Sequence, residues 1–111
     1  MISGVTREIA GASHTFRLKT RAKRAIEGRL DSGFMALMGG LEKDFSINAL
    51  TVIIAESMND GAGASDDAAE DVIDELGDEA AAELLGEVVE AAFPEVKEGA
   101  AKNPKRASRS K

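Results

Sequence analysis

The sequence contains no cysteine, tryptophan or tyrosine, and His14 is its single histidine. Without cysteine the chain can form neither a disulfide nor a thiolate-based zinc or iron–sulfur site, and one histidine excludes a histidine-rich metal site. No apolar run approaches the roughly 20 residues of a membrane-spanning helix, and residues 1–14 lack the apolar stretch of a signal peptide. We therefore expect a cytoplasmic protein with no metal, no cofactor and no membrane partner.

At 111 residues the chain has room for one small domain. A domain of that size buries roughly two-thirds of its unfolded surface, which suffices for a modest core and not for a deep enzyme cleft. Its many alanines favour helices that pack closely. We predict a single domain over residues 1–98 and no enzymatic activity.

Charge is segregated along the chain. The net charge is −6, but residues 1–30 and residues 100–111 are each strongly basic, whereas the residues between them are strongly acidic. An acidic middle repels phosphates and so disfavours nucleic acid as a partner. Opposite charges on different segments favour solubility and steer docking, either within the chain, to another copy or to a partner.

The last 13 residues, 99–111, combine glycine, proline, serine and clustered basic side chains, with no large apolar residue. Such a segment cannot bury enough surface to offset its ordering entropy, so we predict a disordered basic tail. Its five basic residues suit RNA, DNA or an acidic protein surface, but a solvated terminus explains them equally well.

Two short runs near the N-terminus, VTREIAG and SHTFRLKT, predict a β-hairpin turning around Gly11. Val5, Arg7 and Ile9 alternate with polar neighbours, as they do in a half-buried strand. The predicted fold class is therefore α+β and mostly α: this hairpin is followed by four to five short helices.

The helices are predicted from apolar spacing and capping residues. Thr20 is a candidate N-cap for the first helix, which ends at Asp31-Ser32-Gly33, and Ser46 and Ser65 are candidate caps for the third and fourth. The expected spans are 21–30, 34–43, 47–58, 66–76 and 78–93. Residues 47–58 are the most apolar segment, with Ile47, Leu50 and Met58 among its core candidates, and NDGAGAS after them is predicted to be a flexible break.

The acidic residues suggest two kinds of site, and both interpretations fail. DGAGASDDAAED lacks the ligand spacing of a calcium-binding loop, and acidic residues at a helix start are the better explanation. Carboxylates on an exposed helix face also lack the pocket that would separate their pKa values for acid–base catalysis. Neither pattern therefore indicates a catalytic or metal site.

Several hairpin, helix and turn patterns follow one another over roughly residues 5–94. These patterns are Val5, Arg7-Glu8-Ile9 and Gly11; Thr15-Phe16-Arg17-Leu18; Ala25-Ile26-Glu27; the Ser46-capped helix; Asp74 to Gly77; and Ala91-Ala92-Phe93-Pro94. In this order they resemble a known family, the small tail proteins of gene transfer agents and related tailed phages.

The resemblance implies a non-enzymatic tail assembly chaperone, although the family label has also been attached to the tail tube itself. A tube subunit needs large sheet surfaces that stack into rings, whereas this chain offers one hairpin and several helices. The implied partner is the tape-measure protein, whose apolar helices such a chaperone would cover by helix-in-groove contact.

The partner-binding candidates lie on the predicted last helix and on the methionine-containing second helix. They are Leu84, Leu85, Val88, Val89 and Phe93, with Met35 and Met38 as secondary candidates. A place in the domain's own core is the alternative for all seven. Two other functions stay open: a minor structural component of the finished tail, and a small regulatory or nucleic-acid-associated protein that uses its basic tail.

Overall fold

The computed structural model describes residues 2–43 and 46–93, and the side chains of all of these except 41–43. Two strands, β1 (Gly4–Ile9) and β2 (Ala12–Arg17), precede five helices. The helices are α1 (Thr20–Leu30), α2 (Phe34–Lys43), α3 (Ile47–Gly61), α4 (Asp66–Leu76) and α5 (Asp78–Ala92). The predicted α+β, mostly α class is confirmed. The predicted basic tail, 99–111, lies outside the described residues.

The hairpin turns through two residues, Ala10 and Gly11, whose φ angles are 54° and 83°. Two-residue turns with positive φ match the right-handed twist of antiparallel strands, and glycine adopts them without steric cost. The register places Val5 opposite Phe16 and Ile9 opposite Ala12. Phe16 is fully buried, so this two-stranded sheet covers one side of the helical core.

Helix α3 occupies the centre of the domain and packs against β2, α1, α4 and α5. Its VIIA stretch, residues 52–55, is buried on successive positions around the helix, which is typical of a helix segment covered on most sides. Ser46 caps it, accepting a hydrogen bond from the Ala49 amide at 3.2 Å. One core prediction is wrong: Ile47 is 50% exposed, because it lies in the first turn of α3, before the helix enters the core.

Capping residues fix the limits of the other helices. Ser65 accepts a hydrogen bond from the Ala68 amide at 3.1 Å, and Gly77, at φ 89°, ends α4 and begins α5. The predicted cap at Thr20 is wrong, since Thr20 is the first helical residue of α1 and Lys19 precedes it without a side-chain cap. Helix α5 ends one residue earlier than predicted, with Phe93 just beyond it.

The predicted break is a turn held by hydrogen bonds, and it begins within the last residues of α3, where Met58, Asn59 and Asp60 depart from helical φ and ψ. Asn59, Asp60 and Gly61 all have positive φ, a conformation that asparagine, aspartate and glycine tolerate best. The Gly63 amide donates to the Met58 carbonyl at 2.9 Å, and the Asn59 side-chain amide donates to the Gly63 carbonyl at 3.0 Å. The turn therefore sets the direction in which the chain leaves α3.

Replacing Gly61 with alanine is predicted to destabilise the fold by about 1–3 kcal/mol, because φ is 89° there and a Cβ would lie 2.5 Å from Lys19 Cγ. Gly28→Ala is the matched control: no atom lies within 4 Å of the position that its Cβ would occupy, and alanine in a helix is favoured over glycine by roughly 0.5–1 kcal/mol. Urea unfolding measures both. Equal effects of the two substitutions would contradict the prediction.

Candidate protein-interaction surface

Helix α2 has more apolar surface than the domain covers. Its sequence begins FMALM, yet Phe34 is its one buried residue among positions 34–40. Met35 is 65% exposed, and Leu37 and Met38 are half-buried. Met35 and Met38 are three residues apart and so are neighbours on the helix surface. We call Met35 and Met38 the α2 surface; Leu37, two residues from Met35, lies on the other side of the helix, and both Leu37 and Met38 pack partly against the core.

The positions of Gly39 and Gly40 on α2 are uncrowded as well. Gly39 and Gly40 have no atom within 4 Å of the position where a Cβ would stand. Helix α2 packs mainly against α1, whereas α3 is enclosed by several elements. An unbranched methionine side chain adapts to differently shaped apolar partners. The α2 surface is therefore suited to contact with an apolar segment of another protein.

The structure separates the seven partner-binding candidates into three groups. Leu84, Leu85 and Val88 are buried in the domain's own core, at 3% exposure or less, so the core alternative describes their place in this fold. Val89 and Phe93 are half-buried at its edge. Met35 and Met38 lie on the α2 surface, and contact between any of the seven and a partner stays a prediction.

A network of arginines and carboxylates joins the two halves of the chain. In the described residues, Arg7 of β1 pairs with Glu87 of α5, and Arg17 of β2 donates to Asp60 at 2.6 Å. Arg17 also donates to the Ile2 carbonyl at 2.6 Å. Arginines from the basic N-terminal segment thus pair with carboxylates of the acidic segment, within one molecule.

Glu56 is the centre of this network. Its Oε1 accepts from Arg21 at 3.0 Å and its Oε2 accepts from Arg29 at 3.1 Å. Arg29 reaches on to Asp66 at 2.6 Å, and Arg21 donates to the Gly61 carbonyl at 2.9 Å. Helix α1 is therefore tied to the end of α3, to the turn and to the start of α4.

The network changes the pKa of one of its members, Arg29. Its hydrogen bond to Asp66, opposed by partial burial and supplemented by Glu56, raises the pKa of the guanidinium above its ordinary value. Both carboxylates therefore favour the charged form of the guanidinium. Sequence reasoning missed this network, because Arg29 and Glu56 are 27 residues apart and only the segregation of charge hinted at it.

The outer faces of α4 and α5 carry one sign of charge. No lysine or arginine occurs between residues 44 and 96. Exposed carboxylates therefore line both helices, and four of them are Asp67, Glu70, Asp74 and Glu83. Such a surface repels other acidic surfaces and keeps a protein with an apolar patch from associating nonspecifically.

Other kinds of site were sought in the same residues. Across residues 2–43 and 46–93, no group of three or more histidine, cysteine or acidic side chains is arranged to hold a metal ion. In that part of the chain, no helix has the length and apolarity needed to cross a bilayer. A cavity of about 140 Å³ lies between β1, α4 and α5, with Leu76, Ala80 and Leu84 among its lining residues. Arg7, Glu83 and Glu87 also line it, and Arg7 and Glu87 pair with each other.

Comparison with known proteins gives no relative: no family model, no curated protein and no solved structure matches the chain.

Replacing Glu56 with glutamine is predicted to destabilise the fold by about 1–3 kcal/mol, because two arginines lose the charge of a largely buried acceptor, 14% exposed. Glu70→Gln, at an exposed position on α4, is the matched control and should change stability by less than about 0.5 kcal/mol. Urea unfolding at low salt and at about 1 M salt measures the difference in unfolding free energy between the two variants, and this difference should decrease at high salt because the charges are screened. Equal unfolding free energies of the two variants at low salt would contradict the prediction.

Proposed function

We propose that this protein is a non-enzymatic, phage-like tail assembly chaperone that binds apolar helices of a tape-measure protein during tail morphogenesis. The observation that supports the proposal best is the α2 surface, where Met35 is 65% exposed and Met38 is half-buried. The resemblance in the order of hairpin, helices and turns supplies the identity of the partner.

The geometry of α2 fits this role. A tape-measure protein carries long apolar helices that aggregate unless they are covered before the tube encloses them. A helix that presents Met35 and Met38 on adjacent turns can lie along such a segment and bury apolar surface on both sides. Exposed Ile47, at the start of α3, adds a further apolar side chain close by in sequence.

The charge distribution supports the same role. A chaperone that covers an apolar helix must keep the complex in solution, and the carboxylates of α4 and α5 provide a strongly charged surface for this. Four of the seven basic residues among the first 30, namely Arg7, Arg17, Arg21 and Arg29, are paired with carboxylates. This leaves the described surface poorly suited to binding phosphates.

Met35→Glu is predicted to weaken binding to a tape-measure fragment at least tenfold without unfolding the protein. Burial of a largely exposed methionine contributes about 1–2 kcal/mol, and a buried glutamate would add a desolvation cost. Gly86→Glu adds the same charge at an exposed, uncrowded position of α5 and is the control. Co-expression with the fragment, followed by measurement of its soluble fraction, tests both the binding and the role.

Two results would overturn the proposal. One is a tape-measure fragment that is no more soluble with the protein than without it. The other is recovery of the protein in stoichiometric amounts from purified particles by mass spectrometry, because an assembly chaperone leaves before completion; that result would favour a structural component of the tail.

A further inference from the structure

Among residues 34–40 of helix α2, Phe34 is buried in the domain, and Leu37 and Met38 pack partly against the core. Phe34 is 5% exposed, and its ring lies 5.9 Å, centroid to centroid, from the ring of Phe93 at the end of α5. Lys23 of α1 places its ammonium 4.9 Å from the centre of the Phe93 ring. Side chains of α1, of α2 and of the residue after α5 therefore meet around the Phe93 ring.

The backbone of Phe34 is held at the same point. Its amide donates to Glu27 Oε2 at 2.7 Å, so a side chain of α1 satisfies the first free amide of α2. A carboxylate at a helix N-terminus is also favoured by the helix dipole. Glu27 and Phe93 together fix where α2 begins, one through the backbone and one through the side chain.

A short hinge separates these contacts from α1. Asp31 ends α1 in the left-handed region, at φ 53°, and the Ser32 amide donates to the Glu27 carbonyl at 3.3 Å. Gly33 follows, with no atom within 4 Å of where a Cβ would stand. The segment Asp31–Gly33 is thus tightly turned, and no neighbouring atoms crowd Gly33. The backbone can therefore rotate at this glycine with little steric cost.

We propose that α2 is a hinged arm that pivots about Asp31–Gly33, with the Glu27–Phe34 hydrogen bond and the Phe34–Phe93 contact as its latch. This rests on the proposed function, since it assigns a regulation to the same α2 surface. In the latched state a partner helix can contact the α2 surface but not the covered ring of Phe34. In the open state Phe34 and Phe93 also become accessible, so the apolar site for the partner helix is continuous.

The physical balance favours the latched state in the free protein. Opening exposes two aromatic rings to water and breaks a hydrogen bond to a charged acceptor. A partner that supplies apolar side chains covers the same rings and so shifts the population toward the open state. Because only three residues separate the last residue of α2 from the first residue of α3 along the chain, opening is a lateral displacement of the arm rather than its full extension.

Hydrogen exchange followed by mass spectrometry tests the latch on the full chain, without any partner. We expect amides of residues 35–40 to exchange faster than those of α3 and, in Glu27→Ala, to exchange about fivefold faster again, because the acceptor that holds the Phe34 amide is gone. Glu27→Gln retains an acceptor oxygen and should restore most of the protection. Glu70→Ala is the matched control on an exposed helix face.

Three results would overturn the inference: exchange in α2 as slow as in α3, unchanged α2 exchange in Glu27→Ala, or equal acceleration in α3, which signals global unfolding. If exchange behaves as expected but a tape-measure fragment is not bound, the latch stands and the proposed function fails. If the fragment binds while α2 exchange is unchanged by Glu27→Ala, the proposed function stands and the latch fails.

Discussion

The fold depends on covering α3. Residues 52–55, in the middle of α3, are apolar and all of them are buried, so β2, α1, α4 and α5 are arranged around this helix. The same helix also carries exposed Ile47 and the arginine-bound Glu56. Among residues 34–40 of α2, in contrast, only Phe34 is buried. The candidate interaction surface is thus a consequence of how the core is filled.

Ion pairs complement the apolar core by selecting one arrangement of the elements around it. Apolar burial alone is nondirectional and would tolerate several placements of α1 against α3. Glu56 removes that freedom because each of its carboxylate oxygens accepts from a different arginine of α1. Arg29 then extends the tie to Asp66 at the start of α4. The long-range separation of charge in the sequence therefore serves the internal order of the domain.

Local signals in the sequence predict the structure well where one residue decides a local geometry. Gly11, Ser46, Ser65 and Gly77 lie at the turn, caps and helix boundary that their chemistry predicts. A local signal fails at Thr20, because α1 begins one residue before the position that the predicted cap implies. Ile47 and the partner-binding candidates depend instead on neighbours far along the chain. Ile47 has the spacing of a core residue but lies before α3 enters the core. Leu84, Leu85 and Val88 have the spacing of an apolar stripe, which does not distinguish a core face from a docking face.

The sequence by itself determined the class of fold, the order of the elements and the caps at Ser46 and Ser65, because these follow from periodicity and from backbone preferences within a few residues. It also determined the chemical character of the protein, with no cysteine and a chain divided by charge. The tertiary structure alone decided which apolar stripe is covered, which arginine meets which carboxylate and where α2 is held. Those outcomes arise from contacts between residues tens of positions apart, and only packing of the whole chain around α3 brings such residues together.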